Sequence, residues 1–119
     1  MDKGAALNRR IWTLFEKAGF KTEPNSGSAT EHVVELASKK HRRVDLFASA
    51  LGVSIVGSNK SGGVKDSWSA HVNDWDEIRR CAKADTALFV VTDKELSVDD
   101  KRYVKDKGLC LWTEDDVSY

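Results

Sequence analysis

The 119-residue chain holds 19 basic and 19 acidic residues, a formal net charge of zero, with 40% hydrophobic and 32% charged residues. That length and balance suit one globular domain over residues 1–119 with a core of its own. They exclude a global field for nucleic acid, so such a partner needs a local basic patch, and no apolar run nears the ~20 residues of a membrane span. Met1-Asp2-Lys3-Gly4 leads into an amphipathic segment without a signal-peptide pattern. Cys81 and Cys110 lie far apart in apolar contexts and read as reduced thiols. A cytoplasmic protein is the expectation.

In chain order, Leu7, Ile11, Leu14, Phe15 and Ala18 make one apolar stripe, which predicts a helix over 5–18 with Gly19 as its C-terminal cap. Residues 21–31, with Pro24 and Asn25-Ser26-Gly27-Ser28, read as a loop. A strand over 32–37 and a polar turn, Ser38-Lys39-Lys40-His41, predict a hairpin with a strand over 42–49. Ala50-Leu51-Gly52 turns into a strand over 53–60, followed by Ser61-Gly62-Gly63. A helix over 67–84 carries Trp68, Val72, Trp75, Ile78 and Ala82 on one face. The apolar run 86–92 reads as a buried central strand. Ser97 with Asp100 three residues on resembles a capping box and opens a helix to about 107. Residues 109–112 form a last strand, and Thr113 caps a terminal turn. The order α-β-β-β-α-β-α-β predicts an α/β domain, a central mixed sheet flanked by helices in three layers.

The chemistry concentrates in residues 42–60. Strand alternation sends Ser58 and Lys60 to one face. Asp45, on the neighbouring strand, can meet Lys60 in space, and a carboxylate beside a lysine is a place to bind a metal and activate water. Lys39, Lys40, His41, Arg42 and Arg43 form a basic hairpin tip suited to phosphate. His32, His41 and His71 lack metal-ligand spacing and read as surface or core residues.

This order, with Val44-Asp45 on the second strand and Ser58-Asn59-Lys60 ending the third, resembles the PD-(D/E)xK nuclease superfamily, the restriction-endonuclease-like fold. Gly4 before Asn8-Arg9, then Gly19-Phe20, Ser26-Gly27, Val44-Asp45 and Ser58-Asn59-Lys60-Ser61, are similar to archaeal-type Holliday junction resolvases. Residues 84–92 and Lys107-Gly108-Leu109 are similar to Mrr-type domains. The resemblance implies a Mg²⁺- or Mn²⁺-dependent endodeoxyribonuclease, with no organic cofactor. It implies that Asp45 and the Asn59 carbonyl hold the metal and that Lys60 positions the attacking water. DNA is the implied partner, contacted by Lys39, Lys40, Arg42, Arg43 and Ser61, and a homodimer the implied assembly.

Two positions depart from the pattern. Ser58 stands at the acidic position of (D/E)xK, and Asn8 stands where resolvase-like members carry a first-helix Glu. Some members of the superfamily draw the acid from the following helix, about fourteen positions after the lysine. That spacing points to Asp74 as a catalytic and metal-binding replacement, with Asp76 and Glu77 nearby. Glu35 is a second substitute if the hairpin register sets it opposite Asp45. The alternatives are a degenerate nuclease-fold module that binds DNA or protein without cleavage, and a domain cut from a larger restriction protein.

Overall fold

The apolar stripe of the first segment forms a helix, α1 (Lys3–Lys17), because its Leu7, Ile11 and Phe15 can all be buried along one side. In this computed structural model residues 3–22, 32–62 and 67–117 are described. The expected loop around Pro24 and Ser26-Gly27, and the Gly63 position, lie outside the described residues. Gly19, at φ 95°, ends the helix: its N–H bonds the Glu16 carbonyl and the Phe20 N–H reaches back to Phe15. The chain then runs through β1 (Lys21–Thr22), β2 (His32–Glu35), β3 (His41–Val44), β4 (Leu46–Ala50) and β5 (Val53–Ser61). After these come α2 (Trp68–Cys81), β6 (Thr86–Thr92), α3 (Val98–Asp106), β7 (Cys110–Trp112) and α4 (Glu114–Val117). Ser67 and Ser97 cap α2 and α3, each side-chain oxygen accepting from the amide three residues on.

Five strands make the central mixed sheet, in the order β1-β4-β5-β6-β7. β1–β4 and β4–β5 are antiparallel, whereas β5–β6 and β6–β7 are parallel. One face packs on α1 through Leu7, Ile11, Trp12, Phe15, Leu46, Leu88 and Val90. The other packs on α2 and α3 through Val56, Val72, Trp75, Ile78, Phe89 and Val104. Burying each such side chain stabilises the fold by roughly 1.5–3 kcal/mol. The expected three-layer α/β architecture is therefore the observed one. No helix among the described residues is long and apolar enough to cross a membrane.

The single strand expected over 42–49 is divided. It breaks at Asp45 into β3 and β4, and β2 with β3 forms a separate two-stranded sheet. The reason is visible in the packing. Val44 and Phe47 both face the α2 side, while Leu46 and Ala48 between and after them face α1. An unbroken alternation from Val44 would put Phe47 on the other face, so the bend at Asp45 resets the phase. The hairpin register sets His32 against Val44 and Glu35 against His41. Glu35 is thus at the far end of the hairpin from Asp45, exposed, which removes it as a substitute acid.

Gly57 pairs with Leu46 across the β4–β5 ladder. A Cβ there would stand 2.9 Å from the Leu46 Cβ and 3.2 Å from its Cδ2. We expect Gly57→Ala to cost about 1–3 kcal/mol of unfolding free energy, the usual penalty for overpacking. Urea denaturation checks this; an unchanged midpoint would mean that the β4–β5 pair can spread freely.

Candidate active site

Asp45 sits at the bend where the hairpin leaves the central sheet. Its N–H donates to the Gly57 carbonyl (3.0 Å), and its carboxylate Oδ2 accepts from the Asn59 N–H (2.8 Å). These two bonds bracket Ser58. The β4–β5 ladder ends at Leu46–Gly57, so a side chain replaces the main-chain partner that Asn59 would find one step on. In an antiparallel pair the N–H and C=O of one residue share a strand edge. The Asn59 carbonyl therefore lies past the last ladder pair, on the edge that Asp45 occupies.

Helix α1 holds the bend from the other side. Asn8 and Trp12 are four residues apart, on one helix face. The Asn8 Nδ2 donates to Asp45 Oδ1 (3.4 Å), and the Trp12 Nε1 donates to the Asp45 carbonyl (2.8 Å). Asn59 completes the chain, its Nδ2 donating to Asn8 Oδ1 (3.0 Å). Asn59 is 6% exposed, and its Oδ1 accepts no hydrogen bond in this arrangement. The polarity of the relay is fixed by its end: the Asp45 carboxylate can only accept, so Asn8 must turn its amide nitrogen towards it.

Lys60 projects on the Ser58 face at the end of β5 and is exposed. Among the described residues no ion pair joins it to Asp45. Ser58 is 1% exposed and meets His71 of α2, Oγ to Nε2 at 3.3 Å. His71 is bordered by the rings of Trp68, Trp75 and Phe89 at 5.6–6.3 Å between centroids.

Asp74 is held elsewhere. Arg42 grips it with both terminal nitrogens, Nη1 to Oδ1 at 3.0 Å and Nη2 to Oδ2. This fork ties β3 to α2 and takes both carboxylate oxygens. Asp76 is engaged by Arg79 and Arg80 on its own helix. The structure thus brings together Asp45, Ser58, Asn59 and the Lys60 strand end, with Asp74 paired to Arg42 beside the hairpin. Lys39 and Lys40 are exposed in the hairpin turn, which the Leu36–Lys40 and Lys39–Leu36 backbone bonds close. Arg43 is exposed on β3. The Ser61 hydroxyl donates to Asp93 Oδ2 (2.7 Å).

Asp45 and the Asn59 carbonyl are the residues that would hold a divalent cation at this sheet end. Hard cations take carboxylate and carbonyl oxygens and keep several waters, and Asp45 with the Asn59 carbonyl offers that pair. Among the described residues no three His, Cys, Asp or Glu side chains gather as a metal-holding group. Sequence reasoning passed over Trp12 and read His71 as a surface or core residue. Trp12 was findable, being one helical turn from Asn8. His71 had no local signal, because its meeting with Ser58 depends on how α2 lies on the sheet.

No protein-family model matches the chain, and no curated protein matches it in sequence. Solved structures match its fold. The protein of unknown function AF1548 superposes with a TM-score of 0.70 at 14% identity, covering 89% of this chain and 55% of that one. This chain thus spans about half the length of AF1548. An fdxN element excision controlling factor protein from Anabaena variabilis gives 0.62 at 12% identity, covering 90% and 88%. An XisH family protein from Nostoc punctiforme PCC 73102 gives 0.59 at 12% identity, with the same coverage. These XisH-type neighbours have the restriction-endonuclease-like fold, and the chain shares their mixed sheet flanked by helices.

The two tethers at the bend should differ in worth. Asn8→Ala leaves the buried Asn59 carboxamide without its partner, and we expect a loss of about 1–3 kcal/mol. Arg42→Ala breaks a half-exposed pair and should cost no more than about 1 kcal/mol. Urea unfolding of both variants tests the order; a larger loss for Arg42→Ala would make the hairpin tie, not the α1 tether, the main constraint.

Proposed function

We propose that this chain is a DNA-directed nuclease-like domain of the PD-(D/E)xK type, whose reaction is metal-dependent phosphodiester hydrolysis. The observation that carries this reading is the Asp45 carboxylate against the Asn59 N–H, one residue before Lys60, at the sheet end opened by the departing hairpin. The XisH-type fold supports it, and one neighbour is described as a factor controlling excision of the fdxN element.

In this reading Asp45 and the Asn59 carbonyl hold the cation. When bound, a divalent ion supplies Lewis acidity at the phosphate and lowers the pKa of its water. The chain's own residues do the rest. Asn8 and Trp12 fix the carboxylate and the carbonyl of Asp45, so the ligand is oriented before substrate arrives. The exposed Lys60 ammonium offers three donors for a phosphate oxygen or for the attacking water. Lys39, Lys40 and Arg43 add sequence-independent phosphate contacts. Arg42 contributes chiefly through its fork to Asp74, and Ser61 is engaged by Asp93. One domain carries one such centre and cuts one strand, so double-strand scission calls for a homodimer.

Two observations favour a second reading, a nuclease-fold module that binds DNA or protein without cleavage. Ser58 supplies no carboxylate, and Asp74 has both oxygens on Arg42.

Nicking of supercoiled plasmid with Mg²⁺ or Mn²⁺ separates the two. The parent is expected to nick, and Asp45→Ala to fall to background. Equal nicking by Asp45→Ala would mean that the centre lies elsewhere; a parent that binds DNA but is inert with both ions would establish the second reading. Salt dependence tests the tip independently. Lys39→Ala with Lys40→Ala should flatten the slope of log affinity against log salt by roughly one unit for each phosphate no longer neutralised. An unchanged slope would leave the tip an ordinary solvated turn.

A further inference from the structure

The end of the sheet away from Asp45 carries an apolar surface. Strand β5 begins at Val53 and reaches the Asp45 carboxylate only at Asn59. Where the strand begins, a cavity of about 300 Å³ opens between the sheet and the C-terminal end of α1. Leu14, Phe20, Ile55 and Trp112 line it, and all four are only partly buried against the α1-side core. Phe15 holds the walls apart: it meets Phe20 edge-on at 5.1 Å and stacks on Trp112 at 5.5 Å. Val53 stands two residues before Ile55, on the same face of β5, and is 46% exposed. The apolar strip therefore continues out of the cavity to the β4–β5 turn.

That turn carries the second feature. Ala50 pairs with Val53, which leaves a two-residue loop, Leu51-Gly52, with φ 52° and 82°. Positive φ at both places makes a type I′ turn, which suits Asn-Gly or Asp-Gly. A bulky side chain in the first place is a strained choice. Leu51 is fully exposed, so no contact within the chain offsets that strain. The described residues include three exposed large hydrophobics, and two of them, Leu51 and Val53, meet at this turn. A leucine knob and an apolar hole thus stand at one end of one chain.

We propose that two copies of this chain pair at this end about a twofold axis, Leu51 of each copy entering the cavity of the other. A twofold contact is self-complementary, so a knob and a hole on one surface satisfy each other in both directions and the pair closes. The charges agree. The charged residues next in sequence to the cavity lining are Glu16, Lys17, Lys21 and Asp85, two of each sign and all exposed. The whole chain is neutral as well. A rim of mixed sign does not repel its own copy, whereas nucleic acid or an anionic lipid surface calls for a basic one. The patch is confined to one corner of the sheet, which puts the pair in the weak, concentration-dependent class of interfaces. This gives a homodimer a surface that the family resemblance does not assign. No residue of the Asp45 end takes part, so the pair forms whether or not the chain cuts DNA.

Sedimentation equilibrium of the full chain, from micromolar to submillimolar concentration, tests this. The parent should pass from monomer to dimer and stop there. Leu51→Asn removes the knob and leaves the turn a residue that accepts positive φ, so the fold is kept while the dimer weakens roughly tenfold or more. Ala18→Glu, at the exposed lip of the cavity, should do the same. Val98→Asn, which removes the exposed apolar side chain of α3, should leave the dimer as it is. Cys110 gives a local readout, being exposed in the cavity wall. Its thiol should react with an aromatic disulfide more slowly as the parent concentrates, and at a constant rate in Leu51→Asn. A parent that stays monomeric, a dimer of unchanged affinity in Leu51→Asn or Ala18→Glu, or a dimer that leaves Cys110 equally reactive overturns the proposal. Growth beyond the dimer overturns it too, because a head-to-tail contact does not close. So does a monomer whose cavity takes up the apolar dye anilinonaphthalene sulfonate, which makes it a small-molecule site instead.

Discussion

The hydrogen bond from the Asn59 N–H to the Asp45 carboxylate carries more than its own energy. An antiparallel ladder that stops leaves donors on the strand edge, and an unmade buried bond costs about 1–3 kcal/mol. At Asn59 that donor is met by a side chain, so β4 need not continue alongside β5. The chain is then free to leave as the β3 hairpin, and its leaving opens the edge where the carboxylate and the Asn59 carbonyl stand. The fold and the candidate site are products of one constraint. Asn8 and Trp12 reinforce it from α1, which is why a helix buried for its apolar stripe also presents an amide and an indole at that height.

The two faces of the sheet divide the polar work. On the α1 side, Asn8 and Asn59 form a neutral amide relay to Asp45. On the α2 side, the fork from Arg42 to Asp74 anchors the hairpin, and Ser58 meets His71. A planar guanidinium matches a carboxylate with two parallel bonds. Once Arg42 stands one strand away, Asp74 is better satisfied there than beside a second carboxylate. The acid that helical spacing suggested for the site is therefore drawn to the hairpin by a partner that linear spacing does not reveal.

Much of the architecture was legible. The Leu7-Ile11-Phe15 stripe, the apolar run of β6 and the Ser67 and Ser97 helix starts encode local structure, and each formed within a few residues of its expected bounds. The placement of Asp45 and Lys60 near one sheet end was legible from strand order, whereas Asn59 came into the reading only through the nuclease resemblance. The break at Asp45 was not legible, since Val44 to Ser49 is apolar enough to read as one strand. Only the opposed packing of Val44 and Leu46 demands a change of phase. β1 is two residues long and paired only through β4, too short to leave a periodic signal. Contacts between elements far apart in sequence, Arg42 with Asp74 and Ser58 with His71, depend on the position of α2 over the sheet, which no single segment specifies.

These long-range pairs change the electrostatics of the sheet end. A cluster of two or three carboxylates repels itself when no cation is bound, and the fold must absorb that repulsion. Here Asn8 replaces one possible charge with an amide that donates to Asp45, and Ser58 replaces another with a hydroxyl facing an imidazole. The Asp45 carboxylate accepts from the Asn59 N–H and from the Asn8 amide, which offset part of its charge. The same substitution weakens the pull on a hard cation, whose binding depends on charge count.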